Sequence, residues 1–219
     1  VTSVAAVDLG ATSGRVILGG VEGGRIRLHH AARFANDPVV VPEGAGTDGL
    51  HWDVLGLWRS VTAGLAAALR EDDDVVSIGV DSWAVDYGLL REGRLVGLPY
   101  HYRDGRTAAG VEAVHAVVPP GELWARSGLQ HLPFTTLFQL AADRAAGTLG
   151  LADRVLLLPD LLTRWLTGTA STEITNASTT GLLSPTTRAW DADLAVRIGI
   201  PPGLLGALVE PGTRVGGLT

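Results

Sequence analysis

The stretch Asp8-Leu9-Gly10-Ala11-Thr12-Ser13-Gly14-Arg15 holds the first residues of the chain that could do chemistry. An acid ends a short apolar run, and a turn of small residues follows with two hydroxyls and an arginine beside it. Backbone N–H groups in such a turn can approach phosphate oxygens without side-chain obstruction. A charge-assisted bond of that kind is worth about 1.5–3 kcal/mol. Asp8 could hold Mg2+ through water, since that ion prefers few protein carboxylates and keeps its hydration. An ordinary β-hairpin whose glycines merely serve the turn fits the same residues. A dinucleotide fingerprint does not fit, because G-x-G-x-x-G opens a helix and this turn leads into a strand.

Further along, Gly79-Val80-Asp81-Ser82-Trp83-Ala84-Val85-Asp86-Tyr87 places two carboxylates around a tryptophan just past a buried strand. Open α/β sheets bind their ligands at such strand ends. A tryptophan face with nearby acids suits a sugar, because the ring stacks on C–H faces while the acids accept hydroxyl protons. Taken alone, the stretch reads more plainly as a core Trp83 with Asp81 capping a turn. Tyr102-Arg103-Asp104-Gly105-Arg106-Thr107 reads as a structural ion pair with Asp104 capping a helix. His101 beside it fits a hydrogen-bonded or surface histidine better than a catalytic one. The Asn176-Ala177-Ser178 sequon has no consequence in an intracellular chain.

Composition removes several alternatives. The chain has no cysteine, and all 17 of its basic residues are arginine. Disulfides, thiol nucleophiles, the Walker lysine and Schiff-base chemistry are therefore excluded. The histidines form no H-E-x-x-H or H-x-H pattern, which argues against a transition-metal site, and no G-x-S-x-G elbow occurs. A net charge of −6 without a basic cluster makes nucleic acid an unsuitable partner. No apolar run approaches the roughly 20 residues that span a bilayer. The opening Val1-Thr2-Ser3-Val4 lacks a basic leader, so the expectation is a cytoplasmic protein with no membrane partner. The acidic run at 71–74 reads as a solvated connection.

The elements that must position these residues follow from periodicity. Residues 4–9, 15–21 and 25–34 read as three sequential antiparallel strands, and 36–49 as a loop rich in Pro, Gly and Asp. Asp53 is expected to cap a helix to about residue 70, with Leu55, Trp58, Val61, Leu65 and Leu69 on one face. A buried strand at 75–80 comes next, then weak strands at 87–90 and 95–98. Helices are expected near 106–117, 120–127, 134–147 and 159–167, with an apolar run at 154–158 before the last. Residues 169–184 read as ordered loop or irregular β structure, and 191–198 as a final helix. Strands, helix, then parallel strand is the opening order of a ribonuclease-H-like, actin-type ATPase domain. The expected fold is therefore α/β, with a mixed five-stranded sheet, flanking helices and a mostly helical second half.

Taken together, these stretches resemble the FGGY carbohydrate kinases. The resemblance is carried by residues 6–15, 78–86 and 102–107 as quoted, and by Ser127-Gly128-Leu129-Gln130-His131-Leu132-Pro133-Phe134-Thr135-Thr136-Leu137. Leu158-Pro159-Asp160 and Thr175-Asn176-Ala177-Ser178-Thr179-Thr180 complete it. It implies that Ala11, Thr12, Ser13, Gly14 and Arg15 line the phosphates of ATP and that Asp8 faces Mg2+. It places a ketose against Trp83 and Ala84, with Asp86, Gln130 and Phe134 nearby. Within the family the likeness is to members that phosphorylate L-rhamnulose at O1, with a related deoxyketose such as L-fuculose as the alternative. A non-catalytic sugar-binding module derived from such a kinase is the other alternative. Ala84 and His131 depart from the glycine and the bulky apolar residue usual in the family.

The family's general base, an aspartate in a His-Asp-Thr motif of a second domain, has no counterpart in this sequence. Residues 1–219 are therefore expected to be an N-terminal kinase domain with no catalytic residue of its own. Its C-terminal domain is expected as a partner. Alone, the chain is expected to be inactive and to self-associate through its exposed cleft face.

Overall fold

The computed structural model describes residues 2–44 and 46–219. Val1 of the expected start and Ala45 of the expected loop lie outside the described residues. The chain forms two compact units, one of residues up to Val40 with Trp52–Trp83, the other of Val41–His51 with Ala84–Thr219.

In the first unit, strands β1 (Ser3–Leu9), β2 (Ser13–Glu22) and β3 (Arg25–Ala35) are sequential and antiparallel, as expected. Strands β4 (Pro38–Gly44) and β5 (Thr47–Trp52), most of whose residues belong to the second unit, pair with each other, so the predicted loop at 36–49 is largely a hairpin. Pro38 and Pro42 hid it, because proline is tolerated on a two-stranded edge but reads as a strand breaker. Helix α1 (Val54–Glu71) follows, then β6 (Val75–Ser82), which lies parallel to β1. The sheet order is β3-β2-β1-β6.

Alternation on β1 sends Ala5, Val7 and Leu9 inward, where they meet Val16 and Leu18 of β2 and the apolar stripe of α1. The stripe is Val54, Leu57, Val61, Leu65 and Ala68, one position out of step with the expected one at both ends. Leu55 is 60% exposed. The Asp53 carboxylate accepts the Gly56 N–H at 2.9 Å, the cap expected of it, while packing on β2 and β3 sets which face turns inward.

This mixed sheet has four strands rather than the expected five. In the second unit, β7 (Tyr87–Arg91) pairs antiparallel with β8 (Arg94–Leu95) and with β9 (Arg154–Leu157), in a sheet of its own. Around this small sheet lie α2 (Thr107–His115), α3 (Pro120–Ser127), α4 (Thr136–Ala146) and α5 (Leu158–Thr167). The helical second half is thus as expected. Residues 169–184 alternate short strands with single helical turns, and a last helix spans Ala192–Arg197.

Phe138, Leu140, Val155, Leu157, Leu182 and Leu194 form the centre of the second core. Helices α2 and α4 cross where Gly110 stands against the Phe138 carbonyl. A methyl on Gly110 would overlap that oxygen and lie 3.1 Å from the Ala142 nitrogen. Alanine normally favours a helix over glycine by about 1 kcal/mol. Here the overlap is with rigid backbone, and overpacking dominates. Gly110→Ala is expected to destabilise the protein by about 1–3 kcal/mol in urea unfolding, the opposite of the helix preference.

Asp160, in the first turn of α5, is 7% exposed and accepts the Glu173 N–H at 3.1 Å through Oδ1. Its Oδ2 is buried without a partner. Burial pushes this carboxyl up from 3.8 to about 7. The unfolded chain releases the proton first, so stability falls as pH rises from about 4 to about 7, by roughly 1.4 kcal/mol per pK unit. Asp160→Asn, which stays neutral, is expected to stabilise the protein at pH 8 and leave it unchanged at pH 4, measured by urea unfolding at both.

Candidate functional site

In the first unit the candidate phosphate turn is built by its own hydrogen bonds. The Gly10 N–H donates to the Ser13 carbonyl at 2.9 Å, and the Asn36 N–H to the Thr12 carbonyl at 3.1 Å. The Asn36 side-chain amide donates to the Gly10 carbonyl at 2.8 Å. Three carbonyl oxygens that would repel an anion are thereby engaged within the unit. Asn36 is 3% exposed and was missed by sequence reasoning. Its only signal was an asparagine closing a strand. Gly14 makes room for its neighbours: a Cβ there would overlap the Phe34 ring and lie 2.8 Å from Leu9, so both side chains would have to move.

Asp8 and Arg15 face each other across the β1/β2 ladder, with Arg15 Nε 3.2 Å from Asp8 Oδ2. This is an ion pair without hydrogen-bond geometry, since Arg15 Nε is buried and makes no hydrogen bond. On its other side Asp8 is in register with Asp81 of β6. Two carboxylates and an arginine thus share the carboxyl end of the sheet. The carboxylates, with Asp8 partly exposed, fit a hydrated divalent cation, and the turn with its arginine fits an anion.

The Trp83 N–H donates to the Leu9 carbonyl at 3.1 Å, which ties the start of the candidate sugar loop to the end of β1. Its ring packs on the fully buried Trp52, with centroids 4.0 Å apart. One residue later the chain enters the second unit. The Asp86 N–H bonds back to the Ala84 carbonyl at 3.0 Å around Val85, whose φ is +70°. This is the left-handed γ-turn, which for a β-branched residue costs on the order of 1–3 kcal/mol.

Asp86 is 1% exposed, and both its oxygens accept bonds, from the Tyr102 N–H at 3.1 Å and the Gln139 amide at 2.8 Å. Gln139 also donates to the Phe134 carbonyl at 3.0 Å, so Asp86 and Phe134 are joined through it. Gln130 lies apart from these. It lines a separate cavity of about 130 Å3 with Trp124, Leu129, His131 and Phe138.

The charged stretch at 102–107 is structural, but its pairing differs from the expectation. Asp104 accepts the N–H groups of Arg106 at 2.8 Å and Leu50 at 2.7 Å. Arg106 instead pairs with Asp143 of α4 at 2.7 Å, over the Tyr100 ring. Tyr87 donates to the same Asp143. Burial raises both Asp143 and Tyr87, with Arg106 opposing the shift at each. Sequence reasoning missed Asp143 and Gln139, whose helical spacing looks like any other polar face. His101 is buried, accepts the Arg103 N–H at 3.0 Å and stacks on Tyr102. Burial lowers it, which agrees with a structural role.

A chain of this α/β build, with a phosphate-type turn after its first strand, has the fold of the sugar kinases. It superimposes on xylulose kinase from Lactobacillus acidophilus with a TM-score of 0.84 at 16% identity, covering 100% of this chain and 44% of that one. For Plasmodium falciparum glycerol kinase with ADP the score is 0.75 at 15% identity, with coverage of 99% and 45%. Residues 3–219 match the N-terminal domain of the FGGY family of carbohydrate kinases, and the chain belongs to that family. It is 37% identical to the rhamnulokinase of Bacteroides thetaiotaomicron over 98% of its length, and 40% identical to that of Pectobacterium atrosepticum over 100%. It spans 44% of the length of each of these two relatives. Among the described residues no helix is long and apolar enough to cross a membrane.

Proposed function

We propose that this chain is the phosphate- and sugar-contacting half of a kinase that transfers the γ-phosphoryl group of ATP to O1 of L-rhamnulose. The observation that carries the reading is the turn at residues 10–15, whose carbonyls are engaged inward beside Asp8 and Arg15. The rhamnulokinase relatives, at 37% and 40% identity, support the choice of sugar. In this reading the backbone of Ala11, Thr12, Ser13 and Gly14 donates to the nucleotide's phosphates, and Arg15 neutralises their charge. Asp8 would hold Mg2+, which when bound offsets charge on the transferred group.

In this reading Trp83, braced by Trp52, offers an apolar ring face to the ketose, and within the second unit the Ala84 backbone and Phe134 are assigned to it. Gln130, in its separate cavity, would meet the ketose only at a distance from these residues. Asp86, each of whose oxygens accepts one bond from the protein, sets the loop, and a carboxylate oxygen has a second lone pair that can accept a sugar hydroxyl. No side chain of this half serves as the general base. We assign that role to a C-terminal domain, in keeping with relatives of more than twice this length. The same absence makes the isolated chain inactive, and its uncovered cleft face is the surface through which it would self-associate.

The Ala84 methyl, standing where the backbone would meet a sugar hydroxyl, favours a second reading in which a related deoxyketose such as L-fuculose is the better substrate. A module that binds sugar without turnover is the reading from outside enzymes.

The intact protein is expected to form L-rhamnulose 1-phosphate from ATP, with a higher kcat/KM than for L-fuculose. Asp8→Asn is expected to lower kcat at least about a hundredfold. Residues 1–219 alone are expected to turn over no more ketose than their own Asp8→Asn variant. A preference for L-fuculose would move the assignment to the second reading, and absence of any phosphorylated ketose from the intact protein would leave the binding module.

A further inference from the structure

Val85 occupies a backbone conformation that a β-branched residue avoids, and it does so within the loop assigned to the ketose. Nothing in its own sequence neighbourhood favours φ of +70°, since neither Ala84 nor Asp86 is a glycine. The conformation must be imposed from elsewhere.

The source is the first turn of α4. The Thr136 hydroxyl donates to the Val85 carbonyl at 2.7 Å, and the Gln139 amide approaches the same oxygen at 3.4 Å. Both side chains are 1% exposed. Gln139 Nε2 also reaches Asp86 Oδ1 and the Phe134 carbonyl, at 2.8 and 3.0 Å. Those partners are all acceptors, and the Gln139 Oε1 faces only a donor, Arg106 Nη2 at 3.3 Å. The orientation of the amide is therefore chemically fixed. Arg106 is in turn held by Asp143 and by the Gln139 carbonyl. The carbonyl of a strained residue and the carboxylate after it are thus gripped by one helix turn, which is itself braced by a buried ion pair.

We propose that Thr136 and Gln139 are positioning residues: they hold the γ-turn at Val85 and so fix the backbone of residues 84–86 against the ketose. The inference rests on the assignment of that loop to the sugar. The strain has a use in this arrangement. A relaxed backbone at Val85 would point the Ala84–Asp86 peptide groups elsewhere, and sugar hydroxyls read by backbone groups tolerate little displacement. Neither side chain touches substrate in this account, so their effect falls on sugar affinity and leaves the nucleotide contacts alone.

The test is steady-state kinetics on the intact protein with Thr136→Val, which removes the hydroxyl and keeps the shape. Trp83→Ala serves as a control for the loop itself. Thr136→Val is expected to raise the ketose KM at least tenfold while the ATP KM and the melting temperature stay within twofold and 3 °C, about the shift of 1 kcal/mol. Glycine accepts positive φ without strain, so adding Val85→Gly is expected to restore part of the lost ketose affinity. Gln139→Leu should act in the same direction with a larger loss of stability.

A raised ketose KM in Trp83→Ala with none in Thr136→Val would overturn the positioning role and leave the loop assignment standing. An unchanged ketose KM in Trp83→Ala would overturn the loop assignment and the inference with it. Equal rises in both KM values, with no recovery from Val85→Gly, would reduce Thr136 to a structural residue.

Discussion

The Trp83 N–H reaches the Leu9 carbonyl one step beyond the last ladder pair of β1 and β6, Leu9 with Ser82. That bond is possible because the two strands run parallel with their carboxyl ends in step. The same register sets Asp8 beside Asp81 and leaves the turn at residues 10–12 free to project past the sheet. Parallel strands cannot be joined by a tight turn, so α1 must cross between them. The cap at Asp53, the apolar stripe of α1 and the inward residues of β1 are all consequences of that crossing. A slip of one residue would send Asp8 to the opposite face and abolish the acidic pair.

The second unit solves a different problem, which is to present a loop whose preferred backbone is not the one it adopts. Its answer is a chain of buried polar contacts from Asp86 through Gln139 to Arg106, Asp143 and Tyr87. Unsatisfied members of such a network would cost more than the network contributes, so the pairing is close to complete. The close crossing of α2 and α4 at Gly110 keeps the helix turn that carries Thr136 and Gln139 at a fixed depth. Packing and hydrogen bonding therefore converge on the same few residues.

Several of these features were legible in the residues alone. The three opening strands, the capped helix and the parallel strand follow from short apolar periods bounded by turn residues, and such signals are local. Family membership was legible because its motifs are contiguous, and six of them in order carry together what neither residues 6–15 nor 78–86 carry alone. The hairpin at Pro38–Gly44 and Thr47–Trp52 was not, because its prolines mimic a loop and its support is distant. Leu50 is held by Asp104, and His51 by Glu43 and the Leu98 carbonyl. The rotation of α1 was misjudged by one position although its cap at Asp53 was expected, because the face turned inward is set by packing on β2 and β3 and not by the cap.

The sequence by itself determined the chemistry available: a small-residue turn behind an acid, a tryptophan between carboxylates, and no lysine or cysteine to support other mechanisms. Those are properties of residue type and near-neighbour spacing. Only the tertiary structure decided which polar groups remain available to a ligand. Asp86 reads as a sugar contact in the sequence alone, and folding gives each of its oxygens one bond from a partner 16 or 53 residues away. Asn36 and Gln139 looked like ordinary surface residues until folding buried them against the two loops. Hydrogen-bond partners at such separations depend on strand register and helix crossing, and no local pattern records either.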